Sequence, residues 1–262
     1  MKKVLLIVAV ILFLVAGSGL VTALFYPEVF SFLERDFAPI DAPLTFLGKD
    51  VENEKISSLD PIPSSYKISG IKPLAQKPKY PSGCESFSAV MALNHFGLDI
   101  SIDDFISSYL KKSNNFYTKD GKNYGPDPKK VFVGDPKNGG SFGCYSPVIE
   151  EALKECAGDG ATVRRCDGMN LQALCDTYVA KDVPVILWAS IGMLPIYDDL
   201  SWYLEDGSRF YWPANEHCLL LTGYTDTHYI FNDPWQGKEV SWPKALVEQR
   251  YEQMGKMSVV LY

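Results

Sequence analysis

Gln76-Lys77-Pro78-Lys79-Tyr80-Pro81-Ser82-Gly83-Cys84-Glu85-Ser86 is the stretch on which the reading of this chain turns. Two prolines hold an extended approach that then breaks into a helix, because Ser82 and Glu85 stand in the Ser-x-x-Glu relation of a capping box. Beyond it, Phe87, Val90, Met91 and Asn94 follow i, i+3, i+4, i+7 spacing, and Gly97 after Phe96 is a helix stop. The spacing predicts a helix of about a dozen residues with Cys84 in its first turn. A thiol in that position meets unpaired backbone N–H groups and the positive end of the helix dipole, which favour thiolate and lower its pKa from about 8.5. Two readings of Cys84 stay open on this feature alone: a prepared nucleophile, or a small buried cysteine that begins a helix.

Over 130 residues downstream, Glu216-His217-Cys218-Leu219-Leu220-Leu221-Thr222-Gly223-Tyr224 is an apolar run of strand length with His217 at its start. A turn at Thr225-Asp226-Thr227 leads into His228-Tyr229-Ile230-Phe231-Asn232-Asp233-Pro234-Trp235, so the pair reads as a β-hairpin. Side-by-side strands can bring Asp233 close enough to His217 to accept an imidazole N–H bond and fix the tautomer. The chain has three histidines. His95 falls on the helix of Cys84 and His228 inside the hairpin, and both read as structural or surface residues.

With these residues assembled, the chain resembles the papain-like cysteine peptidases related to the bacteriocin leader-processing (double-glycine) peptidases, in their stand-alone, secreted branch. The resemblance is carried by Gln76-x-Pro-x-Tyr-Pro-x-Gly-Cys84-Glu85-Ser86, Leu93-Asn94-His95-Phe96-Gly97, Phe132-Val133-Gly134-Asp135-Pro136, His217 with Leu221-Thr222-Gly223-Tyr224, and Asn232-Asp233-Pro234-Trp235. It implies that Cys84 is the nucleophile, His217 the general base and later acid, Asp233 the orienting residue and Gln76 the oxyanion-hole side chain. The implied chemistry is attack by the Cys84 thiolate on a carbonyl, with the oxyanion held by the Gln76 amide and the Cys84 backbone N–H. His217 would protonate the leaving amine, and the thioester would then be hydrolysed.

The remaining elements, helices first and strands mostly later, suggest an α+β fold; the resemblance implies a papain-like peptidase fold with its nucleophile-bearing helix packed on an antiparallel sheet. Ser101-x-x-Asp104 is a second capping box opening a helix face of Ile102, Phe105, Ile106, Tyr109 and Leu110. Ser146-Pro147 starts another helix, Leu171, Leu174, Cys175 and Tyr178 mark a third, and strands are predicted at Pro184–Trp188 and Met257–Tyr262. Lys111–Ser141, with seven Lys and three Asp among glycines, reads as a solvated insertion or a gating loop. Trp202, Tyr203, Phe210, Tyr211 and Trp212 are either a substrate groove or core cover.

Compartment and partners follow from the ends and the composition. An uncharged, mostly apolar run from Val4 to Tyr26 after Lys2-Lys3 is long enough to span a bilayer, which takes about 20 residues, so residues 1–26 are expected to be a signal peptide or a transmembrane anchor. Residues 27–72, rich in Pro and Ser, read as a linker or stalk, or else as an arm over the domain, and 73–262 as the peptidase-like domain. An extracytoplasmic location, membrane-anchored or secreted, follows. There, Cys144, Cys156, Cys166 and Cys175 form a group compatible with two disulfides. They contain no CxxC pair and have no nearby His, so no metal or other cofactor is expected. With 25 Lys+Arg against 32 Asp+Glu and a net charge of -7, nucleic acid is not expected as a partner. The expected activity is thiol hydrolysis of peptide or isopeptide bonds in a peptide or protein substrate. Acyl transfer to an amine and a non-catalytic binding module are the alternatives.

Overall fold

Alternation along a few central strands decides the layering. The computed structural model describes residues 62–262. In chain order these residues form β1 (Tyr66–Lys67), α1 (Cys84–Phe96), β2 (Lys112–Ser113), β3 (Tyr117–Lys119), β4 (Lys122–Tyr124), β5 (Phe132–Val133) and α2 (Ser146–Ala157). There follow β6 (Val163–Arg165), α3 (Leu171–Thr177), β7 (Val185–Ser190), β8 (Asp198–Tyr203), β9 (Arg209–Pro213) and β10 (Glu216–Tyr224). The last are β11 (His228–Asp233), β12 (Lys238–Pro243), α4 (Lys244–Gln253) and β13 (Ser258–Leu261). The main sheet runs β12-β11-β10-β7-β13-β6, antiparallel throughout, with β1 added to β10.

Successive strand residues point to opposite faces. Ile186, Trp188, Cys218, Leu220, Val259 and Leu261 pack with Ala89, Val90 and Leu93 of α1 and Ile149 and Leu153 of α2. Their neighbours Val185, Leu187, Leu219, Leu221 and Val260 pack with Leu171 and Leu174 of α3 and Val247 and Tyr251 of α4. The sheet is therefore sandwiched between helices, which is why β7 and β10 are buried along their whole length and read as continuous apolar runs.

The helix predicted around Cys84 spans Cys84–Phe96 and ends at Gly97, whose φ of 102° is the left-handed cap that glycine adopts without a Cβ clash. All of Cys84–Leu93 is buried, because the helix is covered on several sides rather than along one stripe. The capping box at its start is absent. Gly83 is the N-cap with no side-chain cap bond, Ser82 Oγ binds the carbonyls of Asn138 and Ser141, and Glu85 is drawn inward. The second box is present: Ser101 Oγ accepts from Asp104 N. Its helix is short, and Ile102–Asp104 passes directly into a π-turn over Phe105–Tyr109.

Several expectations change. The stretch 111–141 contains β2 to β5; β3 and β4 join β8 and β9 in a separate four-stranded sheet, while β2 and β5 pair in parallel. β1 lies inside the segment read as linker. It pairs Tyr66 with Tyr224 and Lys67 with Gly223, on the flank of β10 where pairing with β7 has stopped at Leu221, so the folded domain begins before residue 73. All six cysteines are free, and no disulfide joins Cys144, Cys156, Cys166 and Cys175. These four sit in separate places: Cys144 belongs to the α1 core, Cys166 and Cys175 to the α3 core, and Cys156 is a half-buried residue of α2. Trp202 and Trp212 are core cover, clustered with Phe142 and Phe210. Residues 1–26, and the larger part of 27–72, lie outside the described residues.

Candidate active site

The hairpin does what its sequence promised. β10 and β11 pair antiparallel, with Leu220 opposite Asn232 and a register shift between Leu221 and Gly223. At its open end His217 Nε2 and Asp233 Oδ1 are 2.8 Å apart, both side chains 1% exposed. With Nε2–H donating to Asp233, Nδ1 is left as the acceptor. Asp233 Oδ1 also accepts from the backbone N–H of Trp235. Burial pushes the Asp233 carboxyl up, but the bond from His217 and those from the Trp235 and Gln236 amides outweigh it and hold the pKa below the ordinary 3.8. The Trp235 ring stands edge-on to His217, with Lys77 Nζ 3.0 Å from the centroid of the indole.

Gln76 is 1% exposed and tied to the same corner, since its backbone N–H donates to Pro234 O. Its Nε2 donates to Pro81 O at 2.9 Å, and its Oε1 is buried without a partner. Cys84 opens α1, which packs on β10. The structure thus joins His217 to Asp233 and sets Gln76 beside Pro234. Cys84, however, is not hydrogen-bonded to His217: its thiol donates to Glu85 Oε2 at 3.2 Å.

Glu85, read from the sequence as a capping-box residue, turns inward to the site instead. It is fully buried, and its Oε1 accepts the backbone N–H of Cys144 at 2.6 Å. A second carboxyl, Glu216, is 8% exposed with Oε1 unpartnered, and Cys84, Glu85 and Glu216 offer donor atoms within 4.8 Å of one another. Burial pushes the Glu85 carboxyl up to about 7, against the Cys144 amide; burial and then the Glu85 charge push Glu216 well up. Burial first, then the Glu85 and Glu216 carboxylates, also push the Cys84 thiol well above its ordinary value. This reverses the lowering expected from the helix N-terminus, because desolvation and two nearby carboxyls outweigh the dipole. The adjacency in sequence of Glu216 and His217 was the available signal; it places the carboxyl on the Cys218 face of β10, toward α1.

His95 and His228 have the bland roles expected: His95 Nε2 meets Asp182 O, and His228 Nδ1 meets Thr227 Oγ1. A surface cleft of about 600 Å³ is walled by Tyr145, Phe210, Tyr211, Arg165, Lys129 and Met254, and none of the four predicted catalytic residues lines it.

A helix-borne cysteine packed on a hairpin whose first strand carries His217 and whose second carries its partner Asp233, on a mixed helix and antiparallel-sheet scaffold, fits the class of cysteine peptidase-like hydrolases. Residues 68–259 match the Peptidase_C39 like family. The chain belongs to that family, which is related to the double-glycine peptidases. It is 28% identical over 241 residues to the uncharacterized protein YvpB of Bacillus subtilis (strain 168), covering 89% of this chain and 93% of that one. Among solved structures it is similar to a candidate C39-like peptidase from Bacillus anthracis, with TM-score 0.65 and 22% identity over 76% of this chain and 97% of that one. Xylellain, a cysteine protease from Xylella fastidiosa, gives TM-score 0.37 and 11% identity over 76% of this chain and 86% of its own.

Proposed function

We propose that the chain hydrolyses peptide or isopeptide bonds through Cys84, His217 and Asp233 by way of a thioester. The observation that carries this is the buried 2.8 Å bond between His217 and Asp233, which leaves Nδ1 of the imidazole free to act as base. In the described geometry the thiol is protonated and turned to Glu85. The reaction requires Sγ to leave Glu85 and reach His217, which takes the proton. The thiolate adds to the substrate carbonyl, and the oxyanion is held by the Cys84 N–H and the Gln76 amide. His217 then gives its proton to the leaving amine, and a water, deprotonated by His217, releases the acid and restores the thiol. We extend the proposal to an extracytoplasmic location with residues 1–26 as signal or tether; among the described residues no helix is long and apolar enough to cross a membrane.

The thiol's contact with Glu85 favours a second reading, a binding module with an idle cysteine. A library of peptides, with cell-wall peptides included, is incubated with the protein and with its Cys84→Ala, His217→Ala and Asp233→Ala variants. Intact-mass spectrometry follows acylation of Cys84. Cleavage that falls about 10²–10⁴-fold in His217→Ala supports the triad. A folded protein that neither cleaves nor acylates, yet retains peptide capture in Cys84→Ala, replaces it with the binding module. Added amine separates transfer from hydrolysis, by adduct against free acid.

A further inference from the structure

Behind the nucleophile lies a group of atoms that peptide hydrolysis does not require. Two carboxyls, Glu85 and Glu216, are buried together, and among the described residues neither is paired with Lys, Arg or His. Buried carboxylates without compensation are costly, so the pair has to be neutralised by protons or by a cation. Three further observations point to a cation. Glu216 Oε1 is buried with no hydrogen-bond partner. Cys84 Sγ lies 3.2 Å from Glu85 Oε2, and all three donors lie within 4.8 Å of each other. That is the span of ligands sharing one small ion with metal–sulfur bonds of about 2.3 Å and metal–oxygen bonds of about 2.0–2.2 Å. Residue 143, facing the pair, is a glycine, and a Cβ there would stand 2.4 Å from Glu85 Oε1 and 3.4 Å from Glu216 Oε2, so the flank of the carboxyls is kept free of side chain.

We propose that Cys84, Glu85 and Glu216 bind a thiophilic divalent cation such as zinc, and that its occupancy withholds the nucleophile. One thiolate with two carboxylates suits zinc, or cobalt as its spectroscopic substitute, and not magnesium or calcium, which take oxygen ligands. Binding displaces the Cys84 proton and any proton held by the carboxyl pair to solvent, and the metal forms one bond to sulfur and two to oxygen. The regulatory half of the proposal rests on Cys84 being the nucleophile; the binding half does not.

The test needs no substrate. Co(II) is titrated into the full protein and into its Cys84→Ser and Glu216→Gln variants, and the sulfur-to-cobalt charge-transfer absorption is followed. In parallel, alkylation of Cys84 by iodoacetamide is measured by peptide mass spectrometry with and without zinc. The expected result is a charge-transfer band lost in Cys84→Ser, and about tenfold slower alkylation at a zinc concentration about ten times its dissociation constant. In Glu216→Gln the metal should bind at least about tenfold more weakly. Circular dichroism checks that each variant is folded, and if Glu216→Gln is not, Cys84→Ser and the zinc protection decide alone. A band that survives in Cys84→Ser, or alkylation indifferent to zinc, overturns the site and leaves protons to neutralise the pair. Metal binding without peptide cleavage sinks the hydrolase reading and leaves the site standing. Cleavage that zinc does not inhibit, with the site filled, overturns the regulatory half.

Discussion

Asp233 carries opposing influences, burial raising its pKa and three hydrogen bonds lowering it, and the second set prevails. A carboxyl depressed in the folded state contributes stability that is present above its unfolded value and is lost as pH falls through the folded one. Urea unfolding should therefore show the midpoint dropping below about pH 4, and Asp233→Asn should flatten that acid limb. Gly143 sits at φ 144° with Glu85 Oε1 where a Cβ would go. Gly143→Ala should destabilise the fold by about 1–3 kcal/mol, read as a shift in the urea midpoint at unchanged slope. Asp233 and Glu85 differ in how far sequence could reach them. His217 and Asp233 were legible because a hairpin makes neighbours of residues close in the chain. Glu85 was not: its partner is the amide of Cys144, 59 residues on, and no local spacing encodes that contact.

Among the elements, α1, α2, α3, β7, β10, β11 and β13 were visible as apolar periodicities or runs, since each is long enough to show a period. β1 was not, being two residues in a Pro- and Ser-rich stretch. Its place depends on Gly223, where a Cβ would fall 2.7 Å from Tyr66 O. Gly223→Ala should push β1 off β10 at a cost of about 1–3 kcal/mol, with faster hydrogen exchange at the Ile68 amide, which bonds to Thr222 O. The separate sheet of β3, β4, β8 and β9 was equally hidden. Its strands meet across long sequence gaps, β4 with β8 for example, and β3 and β4 are three residues each.

At the level of the whole molecule the fold class was readable from order alone, helices first and strands mostly later, whereas the sheet order was not, because register between distant strands is set by packing. The matched family region starts at residue 68 and so leaves out β1. A protein beginning at 68 should unfold at lower urea than one beginning at 62, by roughly 1–3 kcal/mol from hydrogen bonds worth about 1 kcal/mol each, including that from Tyr224 Oη to Pro63 O. The strand order carries a further implication. β13, residues 258–261, is wedged between β7 and the edge strand β6. Until those residues are available, β6 has no partner and β7 is unpaired on one flank. In a chain emerging vectorially, from a ribosome or through a translocation pore, this sheet therefore stays incomplete until residues 258–261 have followed, and the packing around the helix of Cys84 closes only once β13 is in place.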